Sequence, residues 1–247
     1  ILEDDYKNKK EIFTESEYSN YQLIKDIKQV LIYEFRGLFF IPEEITNFIK
    51  KIIKNGQTII LYNGLSDLVL SIASAIGFEQ NKEAYNWLKF FLQISNSSNE
   101  IINADPLKYE IKDRFNNLVA IPPFGTRDRN FEKEFIKRVL ELLDSNGSAS
   151  IIFPEGFFVR KDFSELRKYI ETNVNISSII SLPYNTFQPF SGVKSSLIIF
   201  ENSKLKTKTY MASTEKLKDL SLISQDYNKW LLKEKPEVGF EATLNNE

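Results

Sequence analysis

The stretch FNNLVAIPPFGTRDRN, residues 115–130, decides how the chain is read. Leu118, Val119, Ala120 and Ile121 form an apolar run without polar alternation, which suits a central parallel strand covered on both faces. Pro122 and Pro123 must end it, because neither can donate to a sheet ladder. In open α/β sheets ligands bind outside the carboxyl ends of the strands, so Phe124 is expected on a stiff turn at that edge. The same residues also read as a proline-closed loop with a packing phenylalanine.

Working outward, helical and strand patterns alternate. Residues 18–34, YSNYQLIKDIKQVLIYE, place Leu23, Ile27, Val30, Leu31 and Tyr33 near one helix face. PEEITNFIKKIIKNG, residues 42–56, is a helix opened by Pro42 and two glutamates and stopped by Gly56. A strand is expected at Thr58 to Leu61, then a turn YNGLSD, a helical run LVLSIASAIG, and a helix EAYNWLKFFLQI. Strand IINAD leads to the opening strand. Beyond it follow helix FEKEFIKRVLELL stopped at Asn146 and Gly147, strand SASIIFP, helix FSELRKYIETN, and strands ISSIISL and SSLIIFEN. After Asn202, KTKTYMA reads as an edge strand and LSLISQDYNKWLLKE as a terminal helix. The alternation predicts an α/β fold with a doubly wound, mostly parallel sheet. The expected division is an N-terminal helical segment over 1–56, the α/β domain over 57–202 and a C-terminal extension over 203–247.

Composition narrows the chemistry. The 247 residues, 42% hydrophobic, are enough for a full core, and a net charge of -2 argues against a chain coated for nucleic acid. With no cysteine and no histidine, disulfides, thiol nucleophiles, Ser-His-Asp triads and ordinary zinc sites are excluded. Carboxylates, amides, hydroxyls, lysines or a bound cofactor must carry any reaction. No apolar run is long enough to span a bilayer, and ILEDDYKNKK lacks the order of a signal peptide, so a cytoplasmic protein is expected. The sequence opens on Ile1 and closes on EATLNNE without an evident ending, which leaves a fragment of something longer open as a reading.

Over roughly Tyr33 to Asn202, the series of junctions resembles the catalytic domain of DNA adenine-N6 methyltransferases, specifically the modification subunit of type I restriction enzymes. RGLFFIPEEI stands where that family has Gly-Gln-Phe-aromatic-Thr-Pro, keeping Gly37, Phe39, Phe40 and Pro42 but carrying Ile41 for the threonine. GFEQNKEAYNWLKFFLQI places Glu79 at the carboxylate that holds the ribose hydroxyls of S-adenosylmethionine. NADPL places Asp105 near that cofactor's adenine ring. LLDSNGSASIIFPEGFF, ELRKYIETN and ISSIISLPYNTFQPFSGVKSSLIIFEN continue the pattern. The resemblance implies the class I S-adenosylmethionine-dependent methyltransferase fold.

Departures fall where the chemistry is. The family's catalytic tetrapeptide is Asn or Asp, Pro, Pro, aromatic; here it reads Ile121, Pro122, Pro123, Phe124. The resemblance makes Phe124 a platform for a flipped adenine. An aliphatic Ile121 cannot accept the hydrogens of the adenine amine, and losing one preorganised partner for developing charge costs about a hundred- to a thousand-fold in rate. In the glycine-rich cofactor turn, Tyr62 stands at or near the acidic position and Gly64 alone remains; Asn63, Ser66 and Asp67 could still bind something, or Ser66 or Asp67 could simply cap a helix. The cofactor-binding set is thus Phe39, Tyr62, Gly64, Glu79 and Asp105, and S-adenosylmethionine binding is expected to be lost. Candidate nucleic-acid contacts are Arg127 and Arg129, then Lys133, Lys137 and Arg138 on the next helix, and Tyr184 and Phe187, with Phe190, on the LPYNTFQPFSG loop. Most such helix charges form a solvated face, here paired with Glu132 and Glu134, and three aromatics in a loop more often cover the sheet edge than stack bases. The expected role is a degenerate methyltransferase-fold module that recognises DNA or assembles with other restriction-modification subunits. The alternatives are an active adenine methyltransferase with divergent motifs and a structural partner without nucleic-acid binding.

Overall fold

In the computed structural model, residues 19–34, 38–123 and 131–244 are described. Their strands form one nine-stranded sheet in the order β3-β2-β1-β4-β5-β7-β6-β8-β9. These are β1 (Thr58–Leu61), β2 (Ala75–Phe78), β3 (Glu100–Ile102), β4 (Phe115–Ala120), β5 (Leu143–Pro154), β6 (Asn175–Ser181), β7 (Ser195–Glu201), β8 (Thr209–Ser213) and β9 (Phe240–Ala242). The first five run parallel. β7 lies antiparallel between β5 and β6, β8 runs parallel to β6, and β9 is antiparallel to β8.

Alternation along the strands supplies a core on each face. Ile60, Val119 and Ile121 join the core under α1 (Asn20–Glu34), α2 (Glu43–Ile52), α3 (Leu68–Ser71), α4 (Lys82–Ile94) and α8 (Leu220–Leu231). Ile59, Leu61, Leu118 and Ala120 join the core under α5 (Phe131–Leu142), α6 (Gly156–Val159) and α7 (Ser164–Asn173). The opening strand is therefore central and covered on both faces, as its unbroken apolar run requires.

Four local expectations need correction. LVLSIASAIG is one helical turn, α3, followed by strand β2: Ile72 is already extended, Ser74 is left-handed at φ 55°, and residues 75–78 pair with β1. Short apolar runs carry no period that separates helix from strand. α2 stops at Ile52 with Ile53 extended, before Gly56. Leu143 opens β5 rather than closing α5, and the left-handed Asn146 (φ 62°) sits where the β4–β5 register shifts. KTKTYMA is not an edge, since β8 is paired on both sides. The β9 that covers it is anchored by buried Asp226, which accepts from the Tyr210 hydroxyl at 2.8 Å and from the backbone N–H groups of Glu237, Val238 and Gly239. Thus β8 and β9, drawn from residues 203–247, extend the same sheet.

Candidate functional site

The strand order reverses between β1 and β4, and a cavity of about 340 Å³ opens there at the carboxyl ends of β1, β2 and β4. Its walls bring together the glycine turn (Tyr62, Gly64), the acidic residue after β2 (Glu79), the proline turn (Ile121, Pro122, Pro123) and Phe39. Asp105 is tied to this group through Tyr62. These sequence-distant candidates therefore share one site. Phe124, Arg127 and Arg129, and the retained Gly37, lie outside the described residues.

Ile121 directly follows β4 and is 4% exposed. Its backbone N–H donates to the Leu61 carbonyl at 3.4 Å, extending the β1–β4 ladder by one residue. Its side chain belongs to the same core as Val119, Phe187 and Leu38. The position offers the cavity an aliphatic wall and no side-chain hydrogen-bonding group.

The turn after β1 is bent sharply inward. Tyr62 is left-handed at φ 57°, an uncommon state for a bulky residue that costs on the order of 1–3 kcal/mol and must be held by its surroundings. Its hydroxyl donates to Asp105 Oδ1 at 3.2 Å, and its ring lies 6.1 Å from Phe131 and 6.3 Å from Phe135. Burial, then the charge of Asp105, pushes the phenol well above its ordinary pKa, so it remains a donor. Gly64 is also left-handed, at φ 54°, and a Cβ there would stand 2.7 Å from the Phe39 carbonyl oxygen, so the turn requires glycine. The Gly64 N–H donates to Glu79 Oε2 at 2.8 Å, and the Asn81 N–H donates to Oε1 at 2.7 Å. Burial raises the Glu79 pKa, while these backbone donors oppose the rise.

As a cradle for S-adenosylmethionine the described residues fit poorly. A carboxylate has roughly four acceptor sites, so Glu79 retains capacity, but it is only 6% exposed and each of its oxygens already receives a backbone N–H. Asp105 Oδ1 accepts from both Tyr62 and the Leu107 N–H, and Oδ2 faces Lys108 at 3.5 Å. The turn that should face a ligand's carboxylate instead spends the Gly64 N–H on Glu79.

The aromatic candidates divide. Phe187 is 1% exposed and stacks on Phe39 at 5.3 Å, so its ring is part of the core rather than a surface for a base. Phe190 stacks on Phe40 at 5.3 Å and lines the cavity. Tyr184 is 65% exposed, with the Lys194 ammonium 4.8 Å from its ring centre. Arg138 is committed internally: its guanidinium donates to the carbonyls of Pro106 and Tyr109, and its ion pair is with Glu141 rather than Glu132 or Glu134.

Sequence reasoning missed three supporting side chains. Asn81 caps α4 by accepting from the Glu83 and Ala84 N–H groups, which fixes the amide that reaches Glu79; an Asn just before an acidic first turn was the available signal. Asn103 donates to the carbonyls of Glu79 and Gln80 and holds the same turn from β3's side. Lys28 of α1 pairs with Asp67 and lies 5.6 Å from the Phe91 ring centre, tying the N-terminal helix to the turn after β1. Asp67 precedes α3 without capping it, and Ser66 Oγ accepts from the Leu68 N–H at 3.3 Å. No signal within a single helix pattern points to the Lys28–Asp67 pair.

Residues 33–234 match the N-6 DNA methylase family. The methylase subunit of the type I restriction enzyme EcoEI from Escherichia coli is 26% identical over 98 residues, which cover 34% of this chain and 20% of that protein. Among solved structures, a Listeria monocytogenes protein described as a class I S-adenosylmethionine-dependent methyltransferase superposes with a TM-score of 0.73 at 18% identity, over 89% of this chain and 82% of that one. The methyltransferase subunit of a type I restriction-modification system from Streptococcus thermophilus gives 0.71 at 18% identity, over 88% of this chain and 59% of that one. At these identities the structural likeness concerns the fold, and the chain spans about one fifth of the curated relative. Among the described residues no helix is long and apolar enough to cross a membrane, and no cluster of acidic side chains could hold a metal ion.

Proposed function

Since the chain belongs to the N-6 DNA methylase family, we propose that it is a methyltransferase-fold domain of a restriction-modification-like system that has lost methyl transfer and serves as a DNA-recognition or assembly module. The observation that carries this reading is Ile121: where the family presents an amide or carboxylate ahead of two prolines, this chain packs an aliphatic side chain into the core at 4% exposure. An adenine amine is a poor nucleophile, and the site provides nothing at that position to accept its hydrogens as charge develops. The inward cofactor turn supports the same reading. The modification subunits it resembles come from multi-subunit systems, which supports a role in assembly.

The surviving cavity favours a second reading, in which the domain still binds S-adenosylmethionine and uses the Pro122 carbonyl alone as acceptor. Calorimetry with S-adenosylmethionine separates the two. The proposed reading expects no binding heat at millimolar cofactor, and a micromolar Kd would overturn it. Fluorescence anisotropy with labelled duplex DNA then divides the DNA-recognition role from the assembly role.

A further inference from the structure

We infer that Tyr62 is an internal plug: its ring and hydroxyl occupy the ground beside Asp105 where an adenine nucleoside would otherwise dock, and they close the cavity at that wall. The inference rests on the reading above and goes past it, because it assigns the loss of ligand binding to one removable side chain.

The geometry is that of a ligand mimic. A flat ring carries a single donor at its far end, and that donor meets a carboxylate, Asp105, at 3.2 Å. An exocyclic amine on a nitrogen heterocycle would present the same donor from the same kind of plane. The ring is 7% exposed and borders the cavity, so it stands between the open volume and the acceptor. Its backbone is left-handed although nothing but glycine adopts that state without penalty, and Asp105, Phe131 and Phe135 hold it there. Glu79 lines the same cavity, so a second carboxylate stands beside the plug. Because the backbone at 62 already suits glycine, removing the side chain relieves the strained conformation and leaves the cavity open toward Asp105.

The test is calorimetry with adenosine on the whole chain, comparing wild type with Tyr62→Gly, and with Tyr62→Asn as a second variant that tolerates the left-handed backbone should the first melt without cooperativity. The expected result is no detectable binding by wild type, adenosine binding by the variant tighter by about tenfold or more, and about tenfold weaker binding of purine riboside, which lacks the amine that Asp105 would accept. Three results overturn the plug: folded variants that bind adenosine no better than wild type, wild type that binds as well as the variants, or variants that bind purine riboside as tightly as adenosine. S-adenosylmethionine is titrated into wild type in parallel. Binding there sinks the cofactor-free reading itself, whereas its absence together with folded, non-binding variants sinks only the assignment to Tyr62.

Discussion

Replacing Ile121 by asparagine puts an acceptor at the position on which the proposed loss of methyl transfer rests, and the structure sets what the change should do. Ile121 is 4% exposed and packed in the core over α2 and α4, so giving up its burial costs about 1.5–3 kcal/mol. An asparagine amide buried without partners would add roughly 1–3 kcal/mol. Position 121 also borders the 340 Å³ cavity, however, where water can reach the amide and remove most of that second cost. The net expectation is a loss of about 2–3 kcal/mol. For a chain of this size that lowers the melting temperature by roughly 5–10 °C. Catalysis is expected to stay at background. A restored acceptor could return about a hundred- to a thousand-fold in rate, but only with a methyl donor held beside it, and the inward turn at Tyr62 and Gly64 is a separate change that the substitution leaves in place. Labelled-methyl incorporation into adenine-containing DNA and a melting curve on the same preparation read both halves. Incorporation well above wild type would refute the reasoning, by showing an intact enzyme disabled at one residue. An unchanged melting temperature would refute the other half, by showing that Ile121 is not a packed residue.

Two further perturbations test how the site is supported. Lys28→Met should destabilise by about 3 kcal/mol in a denaturant titration, because it leaves Asp67 without its cation, and Lys28→Met with Asp67→Leu should recover most of that loss; additive losses would contradict a direct pair. At Asp226, burial would raise the pKa, but the N–H donors of Glu237 and Gly239, with Tyr210 and Val238, outweigh it and hold the folded value below the usual one. The carboxylate's contribution is therefore present above the ordinary carboxylate pKa and lost as pH falls through the lower folded value. Asp226→Asn should cost roughly 1.5–3 kcal/mol at neutral pH, with the gap to wild type closing in strong acid. A gap independent of pH would mean that charge plays no part in holding β9.

What could be read from the sequence, and what could not, follows from the range of the forces involved. Unbroken apolar runs such as Leu118 to Ile121 identify a strand covered on both faces because burial on two sides leaves no polar alternation, and that rule needs no partner to be known. AIGF at 75–78 obeys the same rule but follows a helical turn directly, and it becomes a strand only because β1 and β3 offer ladders on either side. The site divides in the same way. Glu79, Asp105, Gly64 and the proline turn could be placed together because each lies just past a strand end, and a parallel sheet gathers such ends at one edge. That Phe187 faces inward onto Phe39 could not be read, since a loop has no period to separate its buried from its exposed aromatics. Nor could the direction of Tyr62. A tyrosine after a strand is expected to be extended or to open a turn in an ordinary conformation, and its left-handed backbone is affordable only with Asp105 waiting at the end of β3 and two phenylalanines at the start of α5. Those partners lie 43 or more positions away in the chain, so the conformation that turns the side chain toward Asp105 is a property of the assembled sheet and not of the YNGLSD turn.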